Sequence, residues 1–254
     1  SNLPARNRRR APAFAVDPAP GLTSASVSPM LPVLDQSFRC PSVPPEIMDR
    51  LWETGWRHFG DTFFRYNVSA DDQGLKTITP LRLDLAAFQP SKSQRRVLRR
   101  NADLRHEFRP ARLTDEARAL FHRHKARFTS NVPEELDNFL SPDPASVPCT
   151  CLECRVYEGN TLLALSFLDV GQQATSAVYG MFEPAHAWRS LGILTMLLEM
   201  EHSRALGCRY YYPGYATHEP SAYDYKKQFH SLETLDWLTG EWRPHDLKAS
   251  AAEA

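Results

Sequence analysis

Apolar positions recur along this chain with two periods, and the change from one to the other marks out its elements. Pro45–Thr54 reads as a short helix, and aromatic-rich strands follow it. Trp52, Trp56, Phe59, Phe63 and Phe64 there make a small apolar cluster. Leu81–Leu85 alternates Leu-Arg-Leu-Asp-Leu, the period-two pattern of a strand with one buried face. The next segment, Phe88–Leu104, predicts a helix in which Pro90 with Ser91 or Ser93 supplies the turn and N-cap, and Val97 and Leu98 face the body of the protein. A helical pair is predicted over Thr114–Leu140, with Thr114 and early acids opening the first helix and Pro133 at N1 of the second. From Cys149 the pattern turns to strands. Leu152–Tyr157 and Leu162–Val170 flank Glu158-Gly159-Asn160, a hairpin signal, and Thr175–Phe182 is a third strand ended by Glu183-Pro184. Leu191, Leu194, Leu198 and Ala205 then recur at helical spacing, with Gly207 where a C-cap glycine belongs, and Arg209–Pro213 is a fourth strand. No internal repeat is visible.

Composition changes this picture only locally. The 254 residues balance 30 Lys and Arg against 30 Asp and Glu, and 42% hydrophobic content suffices for a core in one large or two small domains. No apolar run approaches the length of a membrane span. The first 29 residues, rich in Pro, Ala, Ser and Arg, read as a disordered tail; an Arg-rich, acid-poor start also fits an organelle transit peptide, though four prolines interrupt any amphipathic helix there. The segment Lys248–Ala254 is uninformative. Five cysteines without framework spacing point to a reducing compartment, and hence to the cytoplasm.

Because the net charge is zero, any contact with nucleic acid must come from a local patch. The helix over Phe88–Leu104 supplies one: Lys92, Arg95, Arg96, Arg99 and Arg100 fall within nine residues. At 100° per residue they occupy an arc of about 140°. A cationic face on an otherwise balanced chain is either a solvated helix surface or the footprint of a phosphate backbone.

The order of residues resembles the aminoacyl-tRNA–protein transferases, the arginyl- and leucyl-transferases of the N-degron pathway. Met48–Tyr66 is similar to the family segment that ends in a Gly-aromatic-Arg-Arg-x-Gly turn. Pro80–Phe88 leads into Pro-Ser-Lys-Ser-Gln-Arg-Arg; then Leu162–Val170, Ser176–Pro184, Ser190–Gly192, Tyr210–Tyr215 and Tyr225–Phe229 follow in family order. The resemblance covers about residues 28 to 235. It implies an α+β chain with an N-acetyltransferase-like (GNAT) core over 106–247 and a small N-terminal α/β subdomain over 30–105 that carries the basic helix. It implies an enzyme that moves an aminoacyl group from the 3′ ester of a charged tRNA to the α-amine of an acceptor protein or peptide. Such a reaction needs no metal and no covalent nucleophile; aminoacyl-tRNA is a co-substrate and no other cofactor is expected. The sequence does not say which amino acid moves, or what the oligomeric state is.

Within that resemblance Lys92, Ser93, Gln94, Arg95, Arg96, Arg99 and Arg100 would grip the tRNA acceptor arm. Ser190 and Gly192, opening the long helix, would offer free amides to a phosphate of the 3′ end. Asp169 would lie at the mouth of the sheet and orient an amine or relay a proton, or be a plain turn aspartate. Tyr179 and Lys226 would line the transfer site, and Tyr212, Tyr215, His218 and Tyr223 an acceptor or aminoacyl pocket; tyrosines alternating on strands are also ordinary core residues.

Two departures bear on specificity. The family's Cys-x-Tyr-x-Pro element corresponds to Ser28-Pro29-Met30-Leu31-Pro32, and its Cys-x-x-Cys-type cluster falls on Asp72, Leu75 and Ile78, so that metal centre is missing. The Cys149-x-Cys151-x-x-Cys154 run lacks an evident fourth ligand and reads as core thiols, with Cys149 and Cys151 sharing one strand face. The family's Cys-x-Lys-Met-x-Tyr-Lys appears as Pro220 to Lys226, with Ala222 and Tyr223 replacing Lys-Met, which predicts an enzyme that does not simply arginylate Asp and Glu N-termini. Arg189-Ser-Leu-Gly192-Ile-Leu194 also resembles a degraded acetyl-CoA pyrophosphate loop. A CoA-dependent N-acyltransferase and a non-catalytic RNA- or peptide-binding relative are therefore the alternatives.

Overall fold

Strand β1 (Asp35–Arg39) precedes helix α1 (Pro45–Glu53), whose proline at N1 has the φ the first turn needs and no amide to leave unpaired. The computed structural model describes residues 32–71, 74–128, 132–221 and 224–245. Strands β2 (Arg57–Phe59) and β3 (Thr62–Tyr66) form a hairpin that β1 joins in the order β1-β3-β2. Met48 and Trp52 of α1 are buried with Phe63 of β3, and Trp56 packs against them; Phe59 and Phe64 of the predicted cluster instead pair with each other, and Phe59 with Phe139.

The alternation at Leu81 belongs to a longer strand, β5 (Gly74–Asp84), against whose first residues β4 (Val68–Asp71) pairs. Helix α2 (Lys92–Arg100) follows, then β6 (Arg105–Pro110), α3 (Asp115–Lys125), β7 (Cys151–Glu158), β8 (Thr161–Val170), β9 (Ala174–Phe182), α4 (Leu191–Ala205), β10 (Tyr210–Thr217), β11 (Leu232–Leu235) and β12 (Trp242–Pro244). Among the described residues these strands make one nine-stranded sheet, ordered β12-β11-β5-β10-β9-β8-β7-β6 with β4 beside β5. Alternate residues of β8 serve its two faces: Leu165 and Phe167 pack with Leu120 and Phe121 of α3, while Leu168 packs with Met196, Leu197 and Met200 of α4. Helix α4 is apolar on more than one side because α2 lies along it, with Val97 joining Leu194 and Leu198.

Three antiparallel strands, β7 to β9, lead through α4 to β10, which runs parallel to β9. That is the N-acetyltransferase-like core, and the fold is α+β. The β9–β10 pairing is short, joining only Tyr210–Tyr212 to Ala174–Ser176. Beyond it the register of β10 against β5 shifts between Tyr211 and Gly214. Pro213 has no amide to donate, and Gly214, at φ +100°, takes a conformation closed to most side chains. The two parallel strands part at this point, and the side chain of Arg57 occupies the cleft between them.

Three expectations meet a different outcome. The second helix of the pair is only a single 3-10 turn, Leu136–Asn138, because that segment is held by burying Leu136 and Leu140 rather than by helical periodicity. The segments divided at residue 105 share one sheet, since β5 lies between β10 and β11. Strands β6, β11 and β12 were not predicted; each is short and lies near a sheet edge, where the alternation of apolar and polar residues is weak. The N-terminal tail over 1–29, Ser28 to Leu31, Asp72, Ala222, Tyr223 and the segment 248–254 lie outside the described residues.

Candidate functional site

The cleft between β9 and β10 is entered by two cations from outside the core. Arg57, on β2, donates to the Ser176 hydroxyl and to the Ala177 carbonyl, polar groups of β9 at the place where β10 turns away. Lys226, on a short 3-10 turn over Asp224–Gln228, points its ammonium at the same bulge and donates to Tyr215 O at 3.4 Å. A Cβ on Gly214 would sit 3.5 Å from Lys226 Nζ and 3.7 Å from Arg57 Nη2, so the glycine stands where the two cations converge. Burial, and then the neighbouring Arg57 charge, push Lys226 down to about 7. A lysine in that range exchanges a proton at neutral pH, while guanidinium keeps its charge.

Tyr215 lies beside this pair, its hydroxyl donating to Gly55 O at 2.5 Å and its ring edge-on to Tyr66. Tyr212 borders the same crevice with Trp56 and Pro80, but it is buried between Trp52 and Trp242, and burial raises its phenol well above the ordinary range. Beneath, Tyr211 donates to Glu199 of α4 at 2.5 Å, and burial pushes Glu199 up to about 7.

Asp169 is not at an open mouth. It is 2% exposed because the β2–β3 hairpin covers the end of β8, and its carboxylate meets His58 Nε2 at 2.6 Å. Burial, first, and the charge of Asp169, second, raise the thiols of Cys149 and Cys151 far above the usual thiol range. Cys154 lies on the opposite face, with Glu199. Asp169 still acts on the cleft, since its charge is felt by Arg57.

Tyr179 is likewise away from Lys226. It is further along β9, stacked on Phe139 with ring centroids 4.2 Å apart, among Phe121 and His124 on the α3 side. His218 is exposed past the end of β10, with its amide held by Thr77 O. Of the sequence-predicted pocket residues the fold therefore gathers Lys226, Tyr215 and Tyr212. Arg57 and Ser176 were passed over, although Arg57 stands at the first arginine of the Gly-aromatic-Arg-Arg-x-Gly turn, and that turn was the available signal.

The basic helix forms as predicted. Ser91 caps it through a reciprocal box, accepting from Gln94 N at 3.3 Å while Gln94 Oε1 accepts from Ser91 N at 2.8 Å. Gln94 is thereby a buried capping residue that also reaches Gln228 O, and it does not face the solvent as a tRNA contact would. Lys92, Ser93, Arg95, Arg96, Arg99 and Arg100 are exposed, and among the described residues none of the five cations makes an ion pair. Arg95 donates to Pro90 O at 2.6 Å, and Arg100 to Trp188 O, which ties the C-terminal end of α2 to the chain entering α4.

At that entry Ser190 adopts φ +56° and its amide donates to Ala187 O at 2.9 Å, so it is not the free amide expected for a phosphate; Gly192 packs against the Phe182 ring. Arg189 is not open to a pyrophosphate: it is buried and donates to Asp103 at 2.9 Å and Glu158 at 2.8 Å. Beside α2 a groove of about 230 Å³ opens between Leu98, Asn101, Leu104, His106 and Leu194.

The core is GNAT-type, an arginine–lysine pair stands where its parallel strands part, and among the described residues the cationic helix on the same body makes no ion pair. Comparison with known proteins narrows the class. The family description of the arginine-tRNA-protein transferase N terminus matches residues 22–96, and that of its C terminus matches residues 116–236. An aspartate/glutamate leucyltransferase of Stenotrophomonas maltophilia (strain K279a) is 32% identical over 190 residues, 72% of this chain and 74% of that protein. One from Parvibaculum lavamentivorans is 32% identical over 206 residues, 80% of this chain and 83% of that protein. Among solved structures, L-PGS from Bacillus licheniformis superimposes on 72% of this chain and 53% of its own at 12% identity and a TM-score of 0.46. The chain belongs to the aminoacyl-tRNA–protein transferase family and is an enzyme of aminoacyl transfer from tRNA to protein. No helix among the described residues is long and apolar enough to cross a membrane.

Proposed function

We propose that this enzyme transfers leucine from leucyl-tRNA to the α-amine of proteins that begin with aspartate or glutamate. The acceptor class and the amino acid follow the names of the relatives. The observation that carries the site is the Arg57–Lys226 pair in the β9–β10 cleft.

The aminoacyl ester is already activated, so the enzyme has to align amine and carbonyl, take one proton and stabilise one negative charge. Lys226, held near neutrality, accepts the proton of the acceptor ammonium. The amine nitrogen attacks the ester carbonyl carbon, and guanidinium donors of Arg57 not used on β9 meet the oxyanion. The ester C–O bond then breaks: the attacking nitrogen passes its second proton to the departing ribose oxygen, the new amide remains on the acceptor, and Lys226 releases the first proton to solvent. Phosphates of the acceptor arm lie along Lys92, Arg95, Arg96, Arg99 and Arg100, and the nearby groove accommodates a nucleobase. Aminoacyl-tRNA is the co-substrate, no other cofactor enters the transfer step, and the reaction belongs to the cytoplasm, where charged tRNA is held.

The engagement of Arg189 by two carboxylates speaks against the CoA-dependent alternative. The test is transfer from tRNAs charged with leucine or arginine to peptides that differ only in their first residue. Leucyl transfer confined to Asp and Glu peptides is expected. Equal transfer to neutral first residues would instead fit the Ala222-Tyr223 replacement, and binding of charged tRNA without transfer to any peptide would refute the enzyme reading.

A further inference from the structure

Behind the cleft, three donor atoms from three separate elements converge. His58 Nε2 comes from β2, Cys149 Sγ from the turn before β7, and a carboxylate oxygen of Asp169 from β8; the three lie within 4.8 Å of one another. All are buried, at 5%, 5% and 2% exposure. Cys151 is the register partner of Asp169 across the β7–β8 pairing. Imidazole nitrogen, thiolate sulfur and carboxylate oxygen are the ligands zinc takes in mixed sites.

The imidazole is oriented for this role. A carbonyl oxygen can only accept, so the 2.9 Å contact between His58 Nδ1 and Gly60 O puts a hydrogen on Nδ1. In the neutral ring Nε2 then presents its lone pair to Asp169, the orientation in which metal-ligating histidines are held by backbone carbonyls. Two lone-pair atoms facing each other at 2.6 Å require something positive between them. A proton would serve that pair alone, whereas the Cys149 sulfur stands within 4.8 Å of both donor atoms. A divalent ion engages imidazole, carboxylate and thiolate at once.

The geometry points to a zinc-type cation bound by His58, Cys149 and Asp169, with a water completing four-coordination. Ligand bonds of about 2.0–2.3 Å would open the short His58–Asp169 contact and draw Cys149 inward. The ion takes no part in the transfer step. It ties the β2–β3 hairpin to the ends of β7 and β8, and so holds Arg57, the residue next to His58, in the cleft. A search by spacing finds no such site, because positions 58, 149 and 169 belong to different elements; the expectation of no metal rested on the missing family cysteines and on the lack of a fourth ligand beside the Cys149-Cys151-Cys154 run.

Metal content is the readout, and it does not depend on whether transfer activity is found. Protein purified without chelator should carry about one zinc per chain by elemental mass spectrometry. The apoprotein titrated with Co²⁺ should develop a thiolate-to-cobalt charge-transfer band, which Cys149→Ser removes and His58→Gln weakens. The wild-type titration decides the matter even if a variant fails to fold, which circular dichroism would reveal. Metal-free protein that shows no cobalt band overturns the site, as does a band that survives in folded Cys149→Ser.

Discussion

Lys226 and Arg57 divide the chemistry between a cation that gives up its charge near neutrality and one that does not. Because burial and Arg57 lower the lysine to about 7, its neutral, proton-accepting form grows as pH rises through that value. Single-turnover transfer should therefore climb through pH 7 and continue toward the acceptor amine's own titration near 7.7–8.0. In Lys226→Met the limb near 7 should disappear and the rate fall, and Lys226→Arg should not restore it. An unchanged pH profile in either variant would remove Lys226 from proton transfer. Arg57→Ala should lower the transfer rate by about 10²–10³, with little change in the affinity for tRNA, because its donors act on the charge that forms in the transition state. The loss should appear in kcat rather than in KM.

At the scale of one element, α2 separates affinity from folding. Its exposed cations stand on a helix that is capped by Ser91 and Gln94 and anchored by Val97. Arg96→Ala and Arg99→Ala should each weaken tRNA binding and reduce the log–log salt slope by about 0.7–0.9, since each removes one phosphate contact and its counterion release. Gln94→Ala should do something different: it breaks the capping box, costs about 0.5–2 kcal/mol in thermal or urea unfolding, and leaves the salt slope as it was. A lower slope in Gln94→Ala would return that residue to the tRNA contacts expected from the sequence. The strength of the motif made Gln94 look like a nucleic-acid ligand, whereas its place three residues after Ser91 is what its structural role required.

For the molecule as a whole, a charge has been folded into the layer between α4 and the sheet. Glu199 is buried, with its folded value raised to about 7 from an ordinary 4.5, so the folded state holds its proton more tightly than the unfolded state. Stability from this group is full below about 4.5 and is lost as pH rises through about 7. Glu199→Gln, followed by denaturant unfolding at several pH values, should flatten that decline; an unaltered pH dependence would exclude Glu199 as its source. Much of the architecture was legible beforehand. The strands β7 to β9, helix α4 with its C-cap Gly207, and the capped basic helix all declare themselves through local periodicity and turn chemistry, which neighbours in sequence carry. The site was legible only in part. Lys226 and Tyr215 came from motif order, but Asp169 was expected in the open and is covered, Tyr179 packs elsewhere, and Arg57 went unassigned. Their settings depend on where β10 leaves β9 and on a hairpin from the N-terminal segment closing over the end of β8. Local pattern along the chain determined the central strands, the long and basic helices, the family and the cationic face. The cation pair in the cleft, the shifted protonation of Lys226 and Glu199, and the meeting of His58, Cys149 and Asp169 were decided only in three dimensions, because burial and charge proximity are created by contacts between residues distant in sequence.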